Sequence, residues 1–104
     1  MENKQTTETA GRTVELKSVD ITVDGQPWNY GHLMLSCLNV MPKGGWTTTV
    51  MKERISTEAK IDVEKEEVTL SHADIAVLKE CVKNFAWGMK HKDLIEFEDY
   101  IMSL

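Results

Sequence analysis

The chain has 104 residues, 41% hydrophobic and 28% charged, with 12 Lys and Arg against 17 Asp and Glu for a formal charge of −5. That length fits one domain with one modest core and leaves no room for a cofactor domain beside a substrate domain. The acidic balance disfavours nucleic acid as the partner, because phosphate contacts need a basic surface.

Residues 1 to 12 are polar and rich in Thr and Glu without periodicity, which predicts a mobile tail ahead of a single folded unit over 13–104. The opening residues hold no apolar stretch, so no secretory leader is expected and the setting reads as cytoplasmic. The longest uncharged window, Gly25 to Pro42, is interrupted by Gln26, Asn29, His32 and Asn39. A membrane span needs about 20 mostly apolar residues, so none is expected.

In the segment VELKSVDITV, Val14 and Leu16 alternate, then Val19, Ile21 and Val23 alternate in the opposite parity. The phase change at Lys17–Ser18 predicts a bulge or a break between two short strands. Asp24–Gly25 suits a tight turn with positive φ, and Gln26–Pro27–Trp28 can return as an edge strand. Tyr30, Leu33, Met34, Cys37, Leu38 and Met41 then recur at helical spacing, predicting a helix over 29–41 with Asn29 as its cap and Pro42 as its stop. That helix carries no formal charge, so it is either the central core element or a surface for another protein.

Pro42–Lys43–Gly44–Gly45 reads as a loop. A helix is expected from Thr47–Thr49 to about Lys60, with Val50, Met51, Ile55 and Ala59 as its inward stripe. An acidic link over 61–67 leads to an extended Val68–Thr69–Leu70. Ser71 and Asp74 then resemble a capping box, opening a helix whose stripe is Ile75, Leu78, Val82 and Phe85 and which Gly88 ends. A last helix over 92–102 buries Leu94, Phe97 and Ile101. The expected fold class is α+β: a short N-terminal β-strand or hairpin packed on a bundle of three to four helices.

No residue pattern here carries catalysis. His32 and Cys37 stand roughly 140° apart around one helix, so they cannot form a nucleophile–base pair locally. Neither a CxxC pair, a metal-ligand spacing nor a Gly-rich phosphate loop occurs. Cys37 and Cys81 read as reduced core residues. The reading is therefore not an enzyme, with no cofactor and no metal.

Two features point to a protein partner. Trp28 and Trp46 flank the uncharged helix, and aromatic anchors concentrate at interfaces. The last twelve residues hold Asp93, Glu96, Glu98 and Asp99 and no base. Glu98 and Asp99 lie toward a helix C-terminus, where the macrodipole disfavours anions, so helix stability does not account for them. A basic partner, or the Lys79/Lys83 face of another copy, is the matching expectation. Nucleic-acid binding would instead require Lys79, Lys83, Lys90 and Lys92 to form one basic face.

Met51–Lys52–Glu53–Arg54, Ala59–Lys60–Ile61 and the run from Val68 through Ser71 and Asp74 to Lys79 resemble a group of small tailed-bacteriophage accessory and assembly proteins. Asp24–Gly25 falls at the matching turn, so the resemblance spans roughly residues 19 to 101. Trp87–Gly88 departs from the pattern, and the N-terminal tail has no counterpart in it. The resemblance implies a phage origin and an accessory or assembly role in the host cytoplasm. The leading expectation is a non-enzymatic protein that binds and modulates a host enzyme or defence factor. The alternative is a virion structural or assembly component that oligomerises through the Tyr30-to-Met41 helix.

Overall fold

A computed structural model describes residues 11–104 of the chain. The tail expected over 1–12 falls mostly outside the described residues, and Arg12 already begins the first strand. The elements, in order, are β1 (Arg12–Glu15), β2 (Ser18–Val23), β3 (Gln26–Asn29), α1 (Tyr30–Leu38), α2 (Thr48–Glu58), β4 (Glu67–Leu70), α3 (His72–Lys83) and α4 (Lys92–Met102). The class is α+β.

The parity change at Lys17–Ser18 is a true break, because the two strands it separates belong to different sheets. β1 pairs antiparallel with β4, Arg12 opposite Leu70, whereas β2 pairs antiparallel with β3. Asp24 (φ 52°) and Gly25 (φ 78°) make the two-residue hairpin turn between β2 and β3, with both residues left-handed. That geometry matches the right-handed twist of the flanking strands and favours Asp-Gly. Val14, Leu16, Val19 and Ile21 all reach the core from these strands.

Asn29 caps α1 as expected, its Oδ1 accepting the His32 N–H at 3.2 Å. His32 answers by accepting the Asn29 N–H on Nδ1 at 3.0 Å, and its ring stacks on Trp28 with centroids 5.2 Å apart. Asn29 Nδ2 also donates to the Val63 carbonyl, drawing the 61–66 link against the start of α1, with Ile61 buried.

Three features differ from expectation, two of them helix ends. α1 stops at Leu38 with Asn39 as its C-cap, so Val40 and Met41 lie outside the helix and are exposed. α3 stops at Lys83 with Asn84 as its C-cap, five positions before Gly88. In both cases the Asn side chain bonds back to the carbonyl four residues earlier, Leu35 for Asn39 and Glu80 for Asn84. The third difference is the orientation of α2, whose one buried side chain is Thr57. Val50 and Arg54 share the inward side, while Met51 and Ile55, expected inside with Ala59, face outward.

The core lies where α1, α3 and α4 meet the strands. Leu33, Met34 and Leu38 of α1 join Leu78 and Val82 of α3 and Phe97 and Ile101 of α4, all essentially without exposure. Tyr30 meets Phe97 edge-on at 5.1 Å, and Trp87 does the same at 6.1 Å. Full burial of one such side chain contributes about 1.5–3 kcal/mol, so this triangle supplies a large part of the stability. The uncharged α1 is thus a core helix, with Tyr30, Leu33, Met34, Cys37 and Leu38 all buried. Among the described residues no helix is long and apolar enough to cross a membrane.

Candidate functional site

The acidic residues of α4 do not form one patch. At about 100° per residue, Glu96 and Glu98 stand about 160° apart around the helix, on opposite flanks of its outer side. Asp93 belongs to the fold: Oδ2 accepts the backbone N–H of Asp20 in β2 at 2.8 Å, and Oδ1 accepts from Lys92 at 3.1 Å. The Asp20 N–H and the Lys92 ammonium favour its carboxylate and hold it below the ordinary range. Glu96, Glu98 and Asp99 stand exposed. One turn from the C-terminus of the same helix, the Tyr100 hydroxyl accepts the Glu15 N–H of β1 at 2.9 Å. Asp93 is therefore a positioning group for α4, a role that charge counting along the sequence could not separate from a solvated acid.

The two tryptophans are also parted. Trp28 stacks against the first turn of α1, while Trp46 sits at the opposite end of that helix, in the loop before α2. The Trp46 ring lies under the Arg54 guanidinium, 5.0 Å from its centroid. Arg54 Nη1 donates to the carbonyls of Val40 at 2.6 Å and Leu38 at 3.4 Å. The C-terminus of α1 has no basic residue in its last turn, so Arg54 of α2 supplies the missing charge and donors.

Around that arginine lies an exposed apolar area. Val40 and Met41 (64% exposed) rise on one side, and Met51 and Ile55 (63% exposed) on the other. Arg54 is common to two depressions there. One, of about 430 Å³, is walled by Met41, Pro42, Phe85 and the two cysteines; the other, of about 230 Å³, by Trp46, Met51 and Ile55. Contiguous exposed apolar side chains rimmed by polar groups mark protein contact sites more often than scattered single ones do. Sequence periodicity missed this surface because Met51 and Ile55 fit an inward stripe. The signal against it was Thr57, whose spacing from Val50 and Arg54 defines the true inner side.

Thr57 faces inward because it has a partner there. Asp74, in the first turn of α3, accepts the N–H of Ser71 at 3.0 Å, while Ser71 Oγ accepts the N–H of Asp74 at 3.1 Å, completing the expected capping box. The Thr57 hydroxyl lies 3.0 Å from Asp74 Oδ1, and the Lys60 ammonium pairs with Oδ2. Burial opposes ionisation of Asp74, but the bonds from Lys60, Ser71 and Thr57 outweigh it and hold the carboxyl below its ordinary value. The group locks α2 to α3 and has no open coordination face.

Both cysteines are free and buried. Burial, with smaller effects from Cys81 and Glu98, pushes the Cys37 thiol up to about 12. Burial also raises the Cys81 thiol, although Arg54 works against it. Such thiols are poor nucleophiles. Among the described residues no three His, Cys, Asp or Glu side chains converge on a metal position. Of the lysines weighed for nucleic acid, Lys79 borders a depression with Arg12 and His72, Lys83 closes α3 in the open, Lys90 borders a depression with Trp87 and Ile95, and Lys92 pairs with Asp93.

Comparison with protein families, with curated proteins and with solved structures finds no match to this chain.

Proposed function

We propose that this chain is a non-enzymatic, phage-type accessory protein that acts by binding another protein at the corner between α1 and α2. The observation that carries the reading is the cluster of Val40, Met41, Met51 and Ile55 around Trp46 and Arg54, four large apolar side chains left in solvent beside a filled core. The thiols beneath that corner are pushed up by burial and stay protonated. The resemblance to small tailed-phage proteins fits a phage origin and an accessory role, and in this reading the protein modulated is a host enzyme or defence factor.

The test is affinity capture from phage-infected cells with the native chain and with Ile55→Asp. A stoichiometric partner lost on the substitution supports the reading. Capture that is identical with both proteins refutes the corner as the binding surface. A second exposed apolar patch, at Met89 and Ile95, favours the structural or assembly alternative, in which capsid or tail proteins are recovered.

A further inference from the structure

Two of the three histidines act as acceptors at helix starts. His32, the third residue of α1, takes the Asn29 N–H on Nδ1 at 3.0 Å, and His91, the N-cap of α4, takes the Asp93 N–H on Nδ1 at 3.0 Å. An imidazole nitrogen accepts only while it carries no proton, so both rings are held with Nδ1 bare.

Their surroundings differ. Asp93 Oδ2 lies 4.0 Å from His91 Nδ1, and Lys90 and Glu98 border the same depression, so a charged ring there has a carboxylate beside it. Among the described residues His32 has no ion-pair partner, and the first turn of α1 holds no acid. Trp28 of β3 covers one face of its ring. The charged groups of the elements packed here are Asp20 of β2, which pairs with β3, and Asp62, Glu64, Lys65 and Glu66 of the 61–66 link. All five stand exposed, and Asp62 Oδ1 is taken by the Glu64 N–H at 3.0 Å.

We infer that His32 makes the start of α1 an acid-sensitive latch: a proton on Nδ1 ends the bond from Asn29 and loosens the 61–66 link that Asn29 holds. The ring has a second neighbour in the same box, because Asn29 Oδ1 lies 3.1 Å from Nδ1. A protonated ring donates to that oxygen, which already accepts the His32 N–H at 3.2 Å, and the Asn29 N–H is left facing a donor. A positive ring in the first turn also meets the positive end of the α1 dipole. Both effects act against the charged form in the folded chain, so stability falls as the ring takes up its proton. The link feels the change through Asn29, whose Nδ2 donates to the Val63 carbonyl at 3.0 Å beside the buried Ile61. A methyl added at Gly31 would come within 3.1 Å of Val63, so the link is packed closely on this turn. The latch lies at the end of α1 opposite the α1–α2 corner and does not depend on the reading of that corner.

Titration of the full chain from about pH 8 to about pH 5, the range in which an imidazole changes charge, tests the latch. At the upper end the nitrogen-15 shifts of the His32 ring are expected to show Nδ1 bare and Nε2 protonated. Toward the lower end the unfolding equilibrium constant from urea melts is expected to rise about threefold to tenfold, as for one lost hydrogen bond. The Asn29 amide is expected to exchange faster over the same range. His32→Gln keeps an acceptor at the capping-box position but cannot titrate, so it is expected to lose that rise. His91→Gln is expected to retain it. A proton on Nδ1 of the native His32 ring near the upper end overturns the inference, as does an equal pH response in wild type and His32→Gln. The ring shifts are read on the wild type, so that outcome decides the matter whatever the stability of the variants.

Discussion

Arg54 and Val40 are joined across the α1–α2 corner, the guanidinium donating to the Val40 carbonyl at 2.6 Å while stacking on Trp46. One side chain thus closes the end of the central helix and sets the floor of the exposed corner. Replacing Arg54 with Met is expected to cost about 1–3 kcal/mol, since it leaves the carbonyls of Leu38 and Val40 without their donor. Arg54→Lys is expected to recover only part of that, because an ammonium lacks the planar fork and stacks less well on the indole. Urea midpoints of the three proteins check the order.

Asp93 and its acidic neighbours separate into two kinds under mutation. Asp93→Ala removes the acceptor of the Asp20 N–H and lowers the urea midpoint. Glu98→Lys combined with Asp99→Lys leaves the fold intact but weakens whatever partner α4 engages. Equal partner binding before and after the double charge reversal excludes α4 from the interface.

Asp74 makes part of the stability acid-labile. Its carboxyl is held below the ordinary value in the folded chain, so the unfolded chain binds more protons as pH falls toward about 4. The contribution is complete above the unfolded value near pH 4 and is lost as pH falls through the lower folded value. Asp74→Asn is expected to cost about 1–3 kcal/mol at neutral pH and to flatten the acid limb. Melting curves from pH 2 to pH 7 (a range chosen to bracket the roughly pH 3.9 of a free Asp) display both effects.

The thiols report opening of the fold. Cys37 is raised to about 12 and is 1% exposed, while burial raises Cys81 against the opposing pull of Arg54 and leaves it 7% exposed. A disulfide reagent at neutral pH is expected to react slowly with the native chain, with Cys81 modified before Cys37. In denaturant both react at the rate of a free thiol. Fast modification of Cys37 in the native protein contradicts its placement in the core.

Elements governed by local chemistry could be read directly from the sequence. The Asp24–Gly25 turn, the Asn29 and Ser71 caps and the 92–102 helix depend on neighbours within four residues, and each forms as that chemistry dictates. The strand break at Lys17–Ser18 was visible as parity, but the destination of β1 was not. Its partner, β4, lies more than fifty residues later, and nothing in the residues between encodes the pairing. The outward face of α2 was illegible for a related reason. Met51 and Ile55 have the spacing of a core stripe, and the bonds of Thr57 to Asp74 and of Arg54 to Val40 lie on the other side of the helix, which faces inward. Of the residues singled out for a partner, Trp46 lies under Arg54, Asp93 bonds to β2 and Trp28 stacks on His32, contacts that involve residues distant in sequence or rings that the pattern does not pair.

The two bonds that α4 sends to the strands have a consequence for how this chain behaves when crowded. Among the described residues each sheet has two strands, so every strand there has an open edge, the feature through which β-proteins template onto one another. Asp93 takes a main-chain donor of β2 and Tyr100 takes one of β1, placing a side chain of α4 at one edge of each sheet. α4 thereby works as a guard rail for both sheets. A chain in which it swings away uncovers two short strands ready to recruit neighbours and opens the core at Phe97 and Ile101 in the same step, so loss of packing and lateral aggregation arrive together.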